Sequence, residues 1–180
     1  NMNLADSYLE SAKSQFLYYK TIGEKSINQL TEEQLFISTN EDSNSIAVIV
    51  KHLSGNMISR WTDFFTSDGE KEWRNRDNEF EETIKSKLEL MTFWNKGWDC
   101  FFELLFSLKP EQLSEIIYIR NEKHTVIEAI NRQLAHYPYH IGQIVFYAKQ
   151  LNNSEWDSLS IKKNKSRSYN DEKFSQDKKT

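Results

Sequence analysis

The sequence predicts an all-α four-helix bundle, and three observations carry that reading. Four long segments repeat apolar residues at spacings of three and four. One charge-dense connection, Ser67 to Asp77, separates the second helix from the third and is read as a long crossover. Glycine occurs only five times in 180 residues and forms no phosphate loop, so a Rossmann or P-loop fold has nothing to rest on. A hydrophobic content of 38% suits one ordinary core. The bundle domain is placed at residues 1–159, followed by a basic tail over 160–180 that is expected to be poorly ordered.

The first helix is expected from Asn3 to Ile22, with Leu4, Tyr8, Ala12, Phe16 and Tyr19 on one face and Gly23 as its C-terminal cap. Thr31 and Gln34 form a capping-box pattern for one short turn, Glu32 to Phe36, ahead of a polar loop from Ser38 to Ser43. The second helix starts near Asn44 or Ser45 and presents Ile46, Val50, Leu53, Met57 and Phe64. His52 borders that line, and Asn56 follows it one turn later. Arg60 falls inside the apolar stripe, where it either snorkels past the helix end, the reading we favour, or neutralises something anionic.

Asn78 with Glu81 is a second capping-box pattern, expected to open the third helix from Glu79 to Ser107, with Ile84, Leu88, Met91, Trp94, Trp98, Phe101, Phe102 and Leu105 buried. Glu115 to Arg120 has the branched and aromatic content of an extended segment. Thr125 with Glu128 starts the fourth helix, which runs to Asn152 on a regular seam of Ile127, Ile130, Leu134, Tyr137, Ile141, Ile144, Ala148 and Leu151.

Composition narrows the function classes. Cys100 is the only cysteine, set among aromatic residues, so no disulfide framework exists and a reducing, cytoplasmic setting is expected. No apolar run reaches membrane-span length, and the first residues show no basic start and apolar block, so a soluble, unexported chain is expected, with Met2 read as the natural beginning. From Ser160 onward seven Lys and Arg stand against three Asp and Glu, a net of +4 that leaves −8 for residues 1–159 out of the total of −4. An acidic body argues against nucleic-acid binding.

The candidate site lies in the fourth helix. His136 and His140 are one turn apart on one face, beside the apolar seam, with Pro138 between them and Gln143 and Tyr147 continuing their stripe. Two such imidazoles can bind one metal ion, but two ligands do not complete a site, and histidines also sit satisfied at the edge of a core. His52 borders the core face of the second helix in the same way and is the natural third ligand. Three nitrogens and an open position describe a catalytic rather than a closed structural metal. His124, about three turns from His136, is read as a surface or capping residue. Asn56, Arg60 and Gln143 are candidates to touch substrate or orient a ligand, the alternative being ordinary polar groups at the core edge.

The run Ser45-Ile46 through Val50-Lys51-His52-Leu53, followed far downstream by Ala135-His136-Tyr137-Pro138-Tyr139-His140-Ile141-Gly142-Gln143, resembles the histidine triad of the DinB-like (YfiT-like) superfamily. The resemblance spans Asn3 to about Trp156. It implies up-down-down-up connectivity, a divalent metal such as zinc or nickel on His52, His136 and His140, and a homodimer. The span from Thr66 to Asn78 agrees, since it can stretch about 40 Å and return along a helix of about 33 Å, setting the second and third helices parallel.

Characterised members of that superfamily include transferases and isomerases that use low-molecular-weight bacterial thiols. The resemblance therefore implies a metal-dependent thiol S-transferase of detoxification or stress response, acting on a small-molecule substrate. The alternatives are metal-dependent hydrolysis, for which no acidic residue stands one turn from the histidines as general base, and a non-catalytic metal-binding or interaction bundle.

Overall fold

The computed structural model describes residues 3–152 and 155–176; Met2 and the last four tail residues lie outside them. Four long helices dominate: α1 (Leu4–Asn28), α3 (Ile46–Trp61), α4 (Lys87–Ser107) and α5 (Val126–Asn152). A short α2 (Glu32–Leu35), a hairpin of β1 (Ile116–Ile119) and β2 (Glu122–Thr125), and a terminal α6 (Ser166–Phe174) complete the order, with 3-10 turns at Asp77–Phe80 and Pro110–Ser114. The fold is predominantly helical, as the periodicities require. No described helix is long and apolar enough to cross a membrane.

Aromatic residues from all four long helices meet at the centre. Phe16 of α1 lies 4.5 Å from Phe101 of α4 and 5.9 Å from Tyr137 of α5, measured between ring centroids. Trp61 of α3 lies 4.9 Å from Phe101 and donates its indole N–H to the Tyr137 hydroxyl at 2.8 Å. That hydrogen bond matters because a buried indole or phenol without a partner is costly. The same contacts give direction. Gly97 faces Ser54 and Phe101 packs on Trp61, ascending together, so α3 and α4 run the same way. Tyr8 reaches Asn131, and Phe16 reaches Tyr137, so α1 and α5 do likewise.

Parallel neighbours need a long return, and the chain between α3 and α4 supplies it. Fourteen of the sixteen α3 residues are buried, more than one apolar stripe explains, because this crossover covers the face of α3 that the helices leave open. Lys51 on that face sends its ammonium to the carbonyls of Asn78 and Glu81. The hairpin is fastened to the same segment. Its two-residue turn, Arg120 and Asn121, has φ of 54° and 61°, and both backbone N–H groups donate to the Asp68 carboxylate at 2.8 Å. Burial opposes the Asp68 charge, but the N–H groups of Asn121, Glu70 and Arg120 outweigh it and hold the carboxyl below its ordinary range.

Several expectations are corrected. The third long helix does not open at Glu79: it begins at Lys87, where Ser86 accepts the N–H of Glu89 at 3.1 Å. There the chain forms only a 3-10 turn, Asp77–Phe80, and the carbonyls of Asn78 and Glu81 also accept from Lys51. The first helix does not stop at Gly23 but runs to Asn28. Gly23 is a close-approach position, since a Cβ there would lie 2.4 Å from Trp94 Cη2. Leu4, Leu88 and Ile127, placed on apolar seams, are exposed, as each lies in the first turn of its helix beyond the packed region. His124 lies on β2 opposite Ile117 rather than at the start of a helix. Arg60 does not snorkel: it is 3% exposed, because the crossover and hairpin close over the end of α3. In the tail, α6 forms with none of its residues buried.

Two glycines with opposite surroundings test this packing. Gly23→Ala must displace the buried Trp94 and should lower stability by about 2 kcal/mol. Gly142→Ala in α5 meets nothing within 4 Å and should raise stability by about 0.5–1 kcal/mol through helix propensity. Chemical denaturation of the two variants beside the parent checks both signs.

Candidate metal centre

Two caps set the phase of the helices that carry the histidines. Ser45 accepts the Val48 N–H at 3.2 Å and starts α3, so that His52 turns toward α5 and is 5% exposed. Thr125 and Glu128 form a reciprocal box, Thr125 N–H to Glu128 Oε2 at 2.6 Å and Glu128 N–H to Thr125 Oγ1 at 3.2 Å. It starts α5, which continues helically through Pro138 and brings His136 and His140 onto the side facing α3.

His52, His136 and His140 converge, with one ligating nitrogen of each within 4.8 Å of the others. Each imidazole has its Nδ1 against a side-chain oxygen: His52 against Glu79 Oε2 at 2.9 Å, His136 against Gln133 Oε1 at 3.2 Å, His140 against Gln143 Oε1 at 2.7 Å. Those acceptors place the proton on Nδ1 of each ring, which leaves every Nε2 with a free lone pair. His136 Nε2 and His140 Nε2 stand 3.1 Å apart. Two lone pairs that close repel unless a cation lies between them. The spacing is near the roughly 3.3 Å separating two imidazole nitrogens on one tetrahedral zinc. The donor set therefore fits a metal ion, which His52, His136 and His140 together could hold.

Glu79 is the residue that sequence reasoning missed. It is 6% exposed and accepts from Arg74 Nε at 2.7 Å and Arg74 Nη2 at 2.9 Å, besides meeting His52. Burial disfavours its charge, yet the hydrogen bonds of His52 and Arg74 outweigh that and hold its carboxyl below the ordinary range. Gly55 of α3 makes the approach possible, since a Cβ there would lie 2.2 Å from Glu79 Oε1. Phe80 stacks on the His52 ring at 4.9 Å and fixes its other side. The only sequence signal was an acidic residue beside an aromatic one in a charged loop, and the capping-box pattern at Asn78 concealed it.

The remaining candidates lie around the triad. Asn56 accepts the Tyr137 hydroxyl at 3.2 Å and, with Arg60, lines an open cleft of about 600 Å³ whose wall includes all three histidines. Gln143 contacts His140 and is not among the residues that line the cleft. Cys100, half-buried, lies 3.6 Å from the Thr62 hydroxyl and has no part in the triad.

Burial, then the neighbouring His140, His52, Arg60 and Arg132, push the His136 imidazole down to about 3. Burial also lowers His140, against the opposing hydrogen bond of Gln143. Both shifts favour the neutral ring, the form that binds metal, and for His136 the neutral form persists well below the pH at which a free histidine charges. The sign for stability follows. The unfolded chain takes up a proton on His136 below about pH 6.5, whereas the folded chain resists until about pH 3. Metal-free protein should therefore lose stability as pH falls through that window. His136→Gln should remove about 1–2 kcal/mol of the loss between pH 6.5 and pH 5, the partial exposure of the ring discounted; denaturation midpoints of the two proteins across that range check it.

No curated protein matches the chain. One family, described as a protein of unknown function (DUF1572), matches residues 3–165, which contain every residue of the triad and of the cleft. The chain belongs to the DUF1572 family.

Proposed function

We propose that this chain is a metal-dependent enzyme of the DinB-like kind, an up-down-down-up four-helix bundle that transfers a low-molecular-weight thiol to a small electrophile in detoxification or stress response. The helix directions support the architecture. The observation that carries the function is the set of three oxygen-anchored imidazoles whose Nε2 atoms converge on the wall of an open cleft. A closed structural site would instead have a fourth protein ligand. Zinc or nickel there would supply Lewis acidity, lowering the pKa of a thiol in the open position.

The residues of the chain do the rest. Glu79, Gln133 and Gln143 hold the imidazole rings in one tautomer, and Phe80 prevents His52 from turning away. In the transfer, the thiol sulfur forms a bond to an electrophilic carbon, the leaving group departs with its electron pair, and the thiol proton passes to solvent. No general base is required, which favours thiol transfer over hydrolysis. Among the described residues no carboxylate lines the cleft, and Glu79 is fully engaged by His52 and Arg74. A homodimer belongs to the same reading, and the exposed Tyr18 of α1 and Phe106 of α4 are available for its interface.

Elemental analysis of purified protein should find near-stoichiometric metal in the parent and little in His52→Ala or His136→Ala. Glu79→Gln keeps all three ligands but loses the charge behind His52, so metal affinity measured by competition with a chelator should fall 10–100-fold. The parent should catalyse conjugation of a thiol to a reporter electrophile, lose that activity on chelation, and regain it with zinc or nickel. Protein that takes up no metal on reconstitution would sink the proposal.

A further inference from the structure

Five arginines line the cleft beside the triad: Arg60, Arg74, Arg76, Arg120 and Arg132. Among the described residues two carboxylates, Glu79 and Glu70, lie within ion-pair distance of them, and the Asp68 carboxylate acts on Arg60 from further off. Glu79 and Glu70 both bond Arg74, which is thereby fully engaged, and Glu70 also pairs with Arg120 at 3.2 Å. Arg76 lies over the Phe80 ring, and neither it nor Arg132 forms an ion pair among the described residues. The cleft thus keeps an excess of positive charge in a chain of net charge −4.

Arg60 is the most informative of the five. Its side chain is 4% exposed, its Nε and Nη1 have no hydrogen-bond partner, and its Nη2 stands 4.0 Å from the nearest carboxylate oxygen, on Glu70. A buried guanidinium without direct hydrogen bonds is costly, and an anion in the cleft that Arg60 lines would offset that cost. The group is also fork-shaped, which suits a carboxylate or phosphate.

We propose that the cleft contains an oxyanion subsite centred on Arg60 and completed by Arg132, which binds a carboxylate or phosphate of the small-molecule substrate next to the three histidines. The substrate class is therefore anionic. This deepens the function proposed above and rests on the same cleft being the substrate site. The subsite itself does not require the metal.

The test separates the two. Protein stripped of metal is titrated with succinate, inorganic phosphate and the neutral control succinamide at constant ionic strength, by calorimetry and thermal shift. Saturable binding of succinate or phosphate but not succinamide is expected, at least tenfold weaker in Arg60→Met and three- to tenfold weaker in Arg132→Gln. Arg60→Met removes an uncompensated buried charge and should fold at least as stably as the parent; Arg132 is exposed, so its variant keeps the assay decisive in either case. Preference for one anion identifies the group the subsite takes. No saturable binding by the parent, or binding unchanged in both variants, would overturn the subsite. Intact anion binding in protein that never takes up metal would support the subsite while removing the metalloenzyme reading.

Discussion

A buried carboxylate holds this structure together. Glu79 lies on the crossover, yet it is bonded to His52 of α3 and to Arg74 of its own segment, both of which are themselves buried. An ionised carboxylate out of water is tolerable only with its oxygens occupied, and here both are. The same bonds therefore do two things. They fix a long irregular segment on the outside of α3, and they set the tautomer and orientation of one of three convergent imidazoles.

The dependence continues outward. Lys51, one residue before His52, binds the carbonyls of Asn78 and Glu81 and so fastens the 3-10 turn at Asp77–Phe80 against α3. Asp68, earlier in the crossover, fastens the hairpin turn between β1 and β2, and this brings Arg120 over the cleft. A connection between two parallel helices has become the wall of the site. Part of its charge, on Asp68, Glu70, Arg74 and Glu79, is turned inward.

The cleft joins two chemistries at close range. One wall presents the three imidazoles, with burial and neighbouring charge opposing protonation of His136 and His140; another presents guanidinium groups that outnumber the acids paired with them. Under the proposed function, a thiol beside the histidines and an anionic handle of the substrate held by arginines are compatible demands, because the two groups belong to different molecules. The positive wall also helps to keep His136 deprotonated, through Arg60 and Arg132.

Local chemistry alone determined much of this protein. The helical periodicities, the capping box at Thr125, the extended segment before it and the HxxxH pair of α5 are legible because each depends on residues within a few positions of one another. The convergence of His52 with that pair was legible too, since a histidine beside an apolar seam has to face a neighbouring helix. Other features depend on residues far apart in the chain. Gly23 reads as a cap until Trp94, seventy-one positions on, is seen to occupy the space a Cβ would need. Asn78 and Glu81 read as a helix start until the segment is seen as a 3-10 turn fastened to α3 by Lys51, and Arg60 reads as a snorkelling end until the crossover covers it. Glu79 belongs with these: its role follows from the absence of a side chain at Gly55 and the presence of Arg74 and His52, a coincidence in space that no sequence spacing records. Short-range preference is written along the chain, whereas the partner of a buried charge is chosen only when distant segments pack.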